Sequence, residues 1–463
     1  MSRHGVRKLG FGIKLSVLDN GLNVITKEIA GNLCWSGLAV RSGSAYDPPE
    51  HSGLAHVIEH CVFDGIKADA IKGQAEMCLT SDHEMNWVVE GRGATMNGLN
   101  SYGTVTYVID HNVRDVLFML SVLLKVVSFP KLADRSVAQQ KSIVGAELDR
   151  DMENPLYGDK GDTYFDLLLR SHLFSVNPVR NMNGGTIEGV SRITPKMVRE
   201  TFGAFYGLNN MLLIVVGDVD HGSIVRIAEK VLGPYAEMLP PPVKIPKISD
   251  FKEKRLSGAE IHTWTSDHFK HAVVNMGYRA PTALGRDRAA IRILSAVLGE
   301  FTHSRLYKEF RERRGVAYFA ESRYGRNSIY GELVAHVNLH PFKNGETIKS
   351  LVDDVREFVA EQVKRIASGE ISDEEFNQAR VALYNHDRRF GLEDGEYVRG
   401  ILVDAFGNNK FDSGSISASI RRELNSALRV RNCQKKTFVS AVERQIDPEK
   451  YVLLVSGPTG CYE

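Results

Sequence analysis

Apolar and polar positions alternate through residues 13–25, and Asp19-Asn20-Gly21 interrupts them with residues suited to a tight reversal, predicting a strand-turn-strand hairpin. Residues 35–40 read as the next strand. A loop over 41–50, carrying Asp47-Pro48-Pro49, leads into Gly53-Leu54-Ala55-His56-Val57-Ile58-Glu59-His60, which reads as a helix. A mixed segment follows over 64–93, then turns and strand over 94–110, with Val105 to Ile109 the clearest run. Helical periodicity then takes over. Residues 111–127 place Val113, Val116, Leu117, Leu120, Leu123 and Leu124 on one side, and residues 134–152 do the same with Val137, Val144 and Leu148 before stopping ahead of Asn154-Pro155. Further helices are expected over 159–173, 194–206 and 223–232, the second with Pro195 at its first position, and a buried strand over 212–216.

Pro240-Pro241-Pro242 and the charged stretch after it read as a linker that divides the chain into nearly equal parts. The second part repeats the order of the first. Strands are expected within 260–277, a helix over 287–298, strands over 316–339, a long helix over 348–368 and more helices to about 442. It closes on Tyr451-Val452-Leu453-Leu454-Val455-Ser456-Gly457, which parallels Met211-Leu212-Leu213-Ile214-Val215-Val216-Gly217. This end-to-end echo predicts an α+β protein of two homologous α/β domains, each an antiparallel-rich sheet covered by helices. The expected boundaries are 1–235 for the first domain, 236–255 for the linker and 256–463 for the second.

Composition narrows the picture. With 463 residues, 43% hydrophobic and 25% charged, the chain suits a globular protein of more than one core. Its 58 basic and 57 acidic residues leave a net charge of +1, so no global field draws it to nucleic acid or an anionic membrane. Five scattered cysteines without a C-x-x-C pair suit a reducing compartment, and no apolar run reaches membrane-spanning length. A cytoplasmic location is therefore expected, with neither a nucleic-acid nor a membrane partner.

The chemistry is concentrated at His56-Val57-Ile58-Glu59-His60. At helical spacing His56 and His60 are i and i+4, so both rings leave one face, and Glu59 stands three positions from His56 on that side. Two imidazoles suit zinc, which needs a third protein ligand and an open position before it can activate water, and the adjacent carboxylate suits acid-base work. The order inverts the commoner H-E-x-x-H arrangement. The plain alternative is an amphipathic helix whose histidines sit at a polar boundary.

Together with Asn20-Gly21-Leu22, Gly43-Ser44-Ala45-Tyr46-Asp47-Pro48 and Phe63, this run resembles the opening of the insulinase/pitrilysin zinc metallopeptidases, the inverzincins, and within them the mitochondrial processing peptidase β-subunit and single-half bacterial peptidases. The resemblance extends from about Leu15 to Gly457. It implies a third zinc ligand in a helix that precedes Asn-Pro, a place filled here by Glu147, with a local insertion between Gln74 and Gly93 accounting for the extra separation. His83 and Glu84 lie in that insertion and are weaker candidates. An arginine and a tyrosine seven residues apart in the second half, matched by Arg311 and Tyr318, are implied to hold the substrate carbonyl and backbone. Read without the motif, Arg311 is one of several arginines on a solvated helix and Tyr318 a strand residue.

The resemblance thus implies a zinc endopeptidase, with His56, His60 and Glu147 on the metal, Glu59 as general base, and Asn97 with its strand binding an unfolded peptide at a sheet edge. It also implies a homodimer, or a heterodimer with a related subunit, because the family's full chamber needs two units of this size. A non-catalytic scaffold subunit or a peptide-binding protein is the alternative. Three features depart from the family pattern: Gln140 replaces an acidic residue seven positions before the third ligand, Asn97-Gly98-Leu99-Asn100 replaces Asn-Ala-x-Thr, and Gly103 replaces a glutamate.

Overall fold

Among the described residues, twelve strands build two sheets that follow one plan. In the first half these are β1 (Arg7–Gly10), β2 (Ile13–Val17), β3 (Asn23–Glu28), β4 (Leu33–Val40), β5 (Thr95–Asn100), β6 (Val105–Asn112) and β7 (Met211–Gly217). The second half supplies β8 (Glu260–Thr265), β9 (Ala272–Arg279), β10 (Ala317–Arg326), β11 (Gly331–Leu339) and β12 (Val452–Gly457). The orders are β1-β2-β3-β7-β4-β6-β5 and β10-β11-β9-β12-β8. In the first sheet β7 runs parallel to β3 and antiparallel to β4; in the second, β12 runs parallel to β8 and antiparallel to β9. The echo between residues 211–217 and 451–457 is thus a topological equivalence. Both runs are continuously apolar because each strand is inserted between two others and buried along its whole length. The computed structural model describes residues 5–10, 12–70, 81–153, 164–239, 241–244, 253–254, 256–267, 269–327, 329–340, 347–389, 395–407, 418, 421–422 and 425–462.

The helices used below are α1 (Leu54–Val62), α2 (Asp82–Glu90), α3 (Val116–Ser128), α4 (Asp134–Glu153), α5 (Tyr164–Leu173), α6 (Ile187–Ser191), α7 (Pro195–Phe205), α8 (His221–Leu232), α9 (Arg288–Ser295), α10 (Ile348–Ala367), α11 (Asp373–Arg389) and α12 (Gly395–Gly407). Two further helices cover Ser426–Arg431 and Lys435–Gln445. The Thr194-Pro195 start behaves as read: the Thr194 hydroxyl accepts from the Met197 amide, and Pro195 opens α7. The helix expected from His111 begins later, because β6 continues through Asn112 and the Asn112 side chain caps a short turn by accepting from the Arg114 amide at 3.0 Å. Among the described residues no helix is long and apolar enough to cross a membrane.

The units do not follow the expected boundaries. One consists of Met1–Asn154, Asn181–Ser249 and Gly391–Glu423, the other of Pro155–Arg180, Asp250–Phe390 and Leu424–Glu463. The expected linker at 236–255 separates the two sheets in sequence, and only part of it lies within the described residues. Two helices cross that division. In the second unit α5 buries Phe165, Leu169 and Leu173 and packs on β9 and β12, and its Arg170 makes a wholly buried ion pair with Glu332 of β11 at 2.7 Å. In the first unit α12 buries Leu402 and Phe406 against β4 and β7.

Within the first unit, α3 packs on β4 and β6, and α8 on β3. The helix α1 lies against α4, which turns Val137 and Val144 into the core. That contact sets the site.

Candidate metal centre

The backbone fixes α1 before any ligand does. Gly53 precedes the helix at φ 102°, a left-handed conformation that disfavours any side chain. The Asp47 carboxylate accepts from the Gly53 and Ala55 amides, each at 2.9 Å, so two of the free amides at the helix start are satisfied from a loop six residues upstream. Burial pushes the Asp47 carboxyl up to about 7, against the pull of those amides.

The expected pair then points one way. His56 and His60 meet edge to face, their ring centroids 4.9 Å apart and their Nε2 atoms 3.2 Å apart. Glu147, on α4, brings Oε2 to 3.2 Å from His56 Nε2 and 3.4 Å from His60 Nε2. These three form the one group of metal-capable side chains found among the described residues. His56 Nδ1 lies 3.1 Å from the Gly184 carbonyl, which fixes Nδ1 as the donor and leaves the Nε2 lone pair facing Glu147. Gln140, the departure on α4, hydrogen-bonds His60.

Electrostatics agree with the geometry. Burial works against a charge on His60, but Glu147 and Glu59 outweigh it and hold the imidazole above its ordinary value. The His56 and His60 imidazoles, held against its Oε2, keep the Glu147 carboxyl far below the usual carboxylate range.

The donor set fits a small divalent cation. Ligand atoms bonded at about 2.0–2.1 Å to a tetrahedral centre stand about 3.3 Å apart, which matches the three separations observed. Lone pairs held so close repel unless a cation or a shared proton lies among them. Glu59 stands beside the cluster, 3% exposed, with Oε2 buried and without a hydrogen-bond partner. Its carboxylate lies directly on Gly98 of β5: a Cβ there would fall 2.2 Å from Glu59 Oε1.

Asn97 is exposed on the same strand, and β5 ends the sheet, pairing with β6 alone among the described strands. Its carboxamide oxygen accepts from the Gly98 amide at 2.8 Å. Arg311 and Tyr318 lie in the second unit and touch each other. The Arg311 guanidinium donates to the Tyr318 carbonyl and lies over the Tyr318 ring at 4.6 Å, while Tyr318 is 57% exposed on the edge strand β10. Of the expected insertion, residues 71–80 and the His83 side chain lie outside the described residues, and 82–90 form α2, which packs on β5.

Sequence reasoning overlooked the segment Asn183-Gly184-Gly185. Its signal is the Asn-Gly-Gly turn cluster in a stretch otherwise read only as a connection. It also passed over Gly98 as the wall behind Glu59.

Residues 23–160 match the family model described as Insulinase (Peptidase family M16), and residues 192–383 match that described as Peptidase M16 inactive domain. An uncharacterized zinc protease of Rickettsia bellii is 23% identical over 313 residues, 66% of this chain and 68% of that protein. The mouse cytochrome b-c1 complex subunit 1, mitochondrial, is 21% identical over 291 residues, 62% of this chain and 55% of that protein. Among solved structures, a protease from Helicobacter pylori superposes with a TM-score of 0.78 at 18% identity, covering 99% of this chain and all of the other.

Proposed function

Because the chain belongs to the insulinase/pitrilysin (M16) family of peptidases, we propose that it is a zinc-dependent endopeptidase acting on unfolded peptides or peptide precursors. The observation that carries this reading is the convergence of His56, His60 and Glu147 beside a buried acid with an unpartnered oxygen. His56, His60 and Glu147 would hold the zinc, with one position left open. When bound, zinc supplies Lewis acidity and brings the pKa of water toward neutrality.

The remaining work falls to the chain's own groups. Glu59 takes the proton of the attacking water and passes it to the departing amine, a role that contributes about 10²–10⁴ in rate. Its burial favours this, since no solvent shell competes for the carboxylate. Asn97 and the free edge of β5 receive the peptide main chain as an added strand. Arg311 and Tyr318 contact the substrate backbone or the developing oxyanion. A second copy of this chain, or a related subunit, completes the working assembly, and the location is the cytoplasm.

The likeness to a cytochrome b-c1 subunit favours a second reading, a non-catalytic subunit. Metal content separates the two when combined with cleavage of a mixed-peptide library, with and without a chelator. One zinc per chain and chelator-sensitive cleavage support the peptidase; a protein purified without zinc that gains none on addition establishes the second reading. Glu59→Gln should keep the zinc and lose turnover at least about 100-fold. Near-native cleavage by that variant would remove Glu59 from its role.

A further inference from the structure

The metal helix is held by a relay that ends on α12, a helix from far along the chain. Arg41, at the end of β4, is 1% exposed, yet its Nε donates to the Phe406 carbonyl at 2.8 Å, and its guanidinium lies over the Phe406 ring at 4.7 Å. Phe406 is itself wholly buried. The same helix has a second anchor, Arg399, whose guanidinium lies over Trp35 of β4 at 5.3 Å.

Each further contact leads toward His56. The loop after Arg41 is zipped to the turn between β5 and β6: the Ser44 amide donates to the Ser101 carbonyl at 3.0 Å and the Ala45 amide to the Tyr102 carbonyl at 2.9 Å. Both segments then grip one residue. The Ser44 hydroxyl donates to Asn183 Oδ1 at 3.2 Å, and the Asn100 carboxamide to the Asn183 carbonyl at 2.7 Å. The residue after Asn183 is Gly184, whose carbonyl takes the His56 Nδ1 proton. The same loop ends at Asp47, which caps α1.

Gly103 is the joint that admits α12. A Cβ on Gly103 would stand 3.2 Å from the Gly407 carbonyl oxygen and 3.4 Å from its Cα, and a Cβ on Gly407 would stand 3.0 Å from the Thr104 methyl. A side chain at Gly103 would press on the backbone at the end of α12, which would have to give by a few tenths of an ångström.

From this chain of contacts we infer that Arg41 and Phe406 are positioning residues, through which the end of α12 sets the orientation of His56 and the start of the metal helix. Both act through the 41–47 loop, the 101–104 turn and Asn183-Gly184. The consequence for zinc rests on the reading proposed above. The mechanical relay does not.

The test compares Arg41→Met, Arg41→Lys, Phe406→Ala and Gly103→Ala with the unaltered full-length chain. Hydrogen exchange at the amides of Ser44, Ala45, Gly53 and Ala55 reads the relay, competition with a chromogenic chelator reads zinc affinity, and kcat and KM are separated on a cleaved peptide. Arg41→Met and Phe406→Ala should speed exchange at these four amides at least about tenfold while leaving the amides of β9 and β12 unchanged. Zinc affinity should fall about 10–100-fold, the range for loss of a group that orients a ligand, and kcat should fall more than KM rises. Arg41→Lys should recover part of each effect, and Gly103→Ala should fall between. If Arg41→Met does not fold, Phe406→Ala and Gly103→Ala carry the test. Exchange and zinc affinity within twofold of the unaltered chain in Phe406→Ala would overturn the inference. An unaltered chain that binds no zinc would refute the metal reading alone, and exchange would still decide the relay.

Discussion

Gly98→Ala is the sharpest single probe of the site, because one methyl group is aimed at one carboxylate. The added Cβ would fall 2.2 Å from Glu59 Oε1 and 2.7 Å from both Cδ and Cγ, about 1 Å inside ordinary contact. Glu59 cannot step aside into solvent, being 3% exposed and hemmed in by the helix on which it stands. Nor can β5 yield freely, since Gly98 is registered opposite Tyr107 and Asn97 opposite Val108 of β6. The carboxylate must therefore move by something near 1 Å. A misplacement of that size costs on the order of 100-fold in rate when the group transfers a proton, and the strain costs about 1–3 kcal/mol of stability. His56, His60 and Glu147 are untouched, so the variant should keep its zinc. The assay is kcat/KM on a cleaved peptide beside zinc content and the urea midpoint. A folded, zinc-loaded Gly98→Ala protein within threefold of the unaltered rate would refute the placement of Glu59 as the base.

Zinc at 100 times its dissociation constant should add about 2.7 kcal/mol to the unfolding free energy of the unaltered chain and none to His60→Ala, read as a shift of the urea midpoint; an equal shift in both would move the metal elsewhere. His221 is buried with both ring nitrogens engaged, at 2.9 Å from the Ser16 and Thr26 hydroxyls, and burial holds its pKa below the ordinary value. The folded state therefore binds fewer protons than the unfolded one, so this contribution is full above about pH 6.5 and is lost as pH falls below it. His221→Gln should be less stable by about 1–2 kcal/mol at pH 7.5, with the gap closing toward pH 5; a gap that widens in acid contradicts the sign. Arg170→Met strands the wholly buried Glu332 with Arg323 as its remaining guanidinium, and should cost about 3–5 kcal/mol. Arg170→Met/Glu332→Met should recover much of that loss in chemical denaturation, and failure to recover any would assign the cost to packing.

Periodicity and turn chemistry reach far in this chain because its strands and helices are locally consistent. The Asn20-Gly21 turn closes β2 onto β3, with Gly21 at φ 89° and the Asn20 side chain accepting from the Leu22 amide at 3.1 Å, and each of these features is local in sequence. The convergence of His56, His60 and Glu147 is legible for a different reason: two members share one helix face, and the third was supplied by family resemblance. The exchange of α5 and α12 has no such signal. An apolar stripe such as Phe165, Leu169 and Leu173 says that a helix is covered, and says nothing of which sheet covers it. Gly98 and Gly184 were silent for a related cause, since a glycine kept for space leaves no periodic mark.

The repeated topology sharpens what distinguishes the two halves. In the first sheet the helix following β4 is α1; in the second, the helix following the equivalent strand β9 is α9. There α9 carries Arg292, whose guanidinium bonds Glu300 and lies 3.6 Å from Asp387 of α11. Both helices thus place nitrogen-bearing side chains beside acids, but they do so with different chemistry. In the second unit the cation is a tethered guanidinium, which offers only donors and no lone pair to a metal. In the first unit, two imidazoles and a carboxylate converge as a group that could hold an ion, with a buried acid beside them. The two halves share one frame, and among the described residues the group that could hold a metal lies in the first alone.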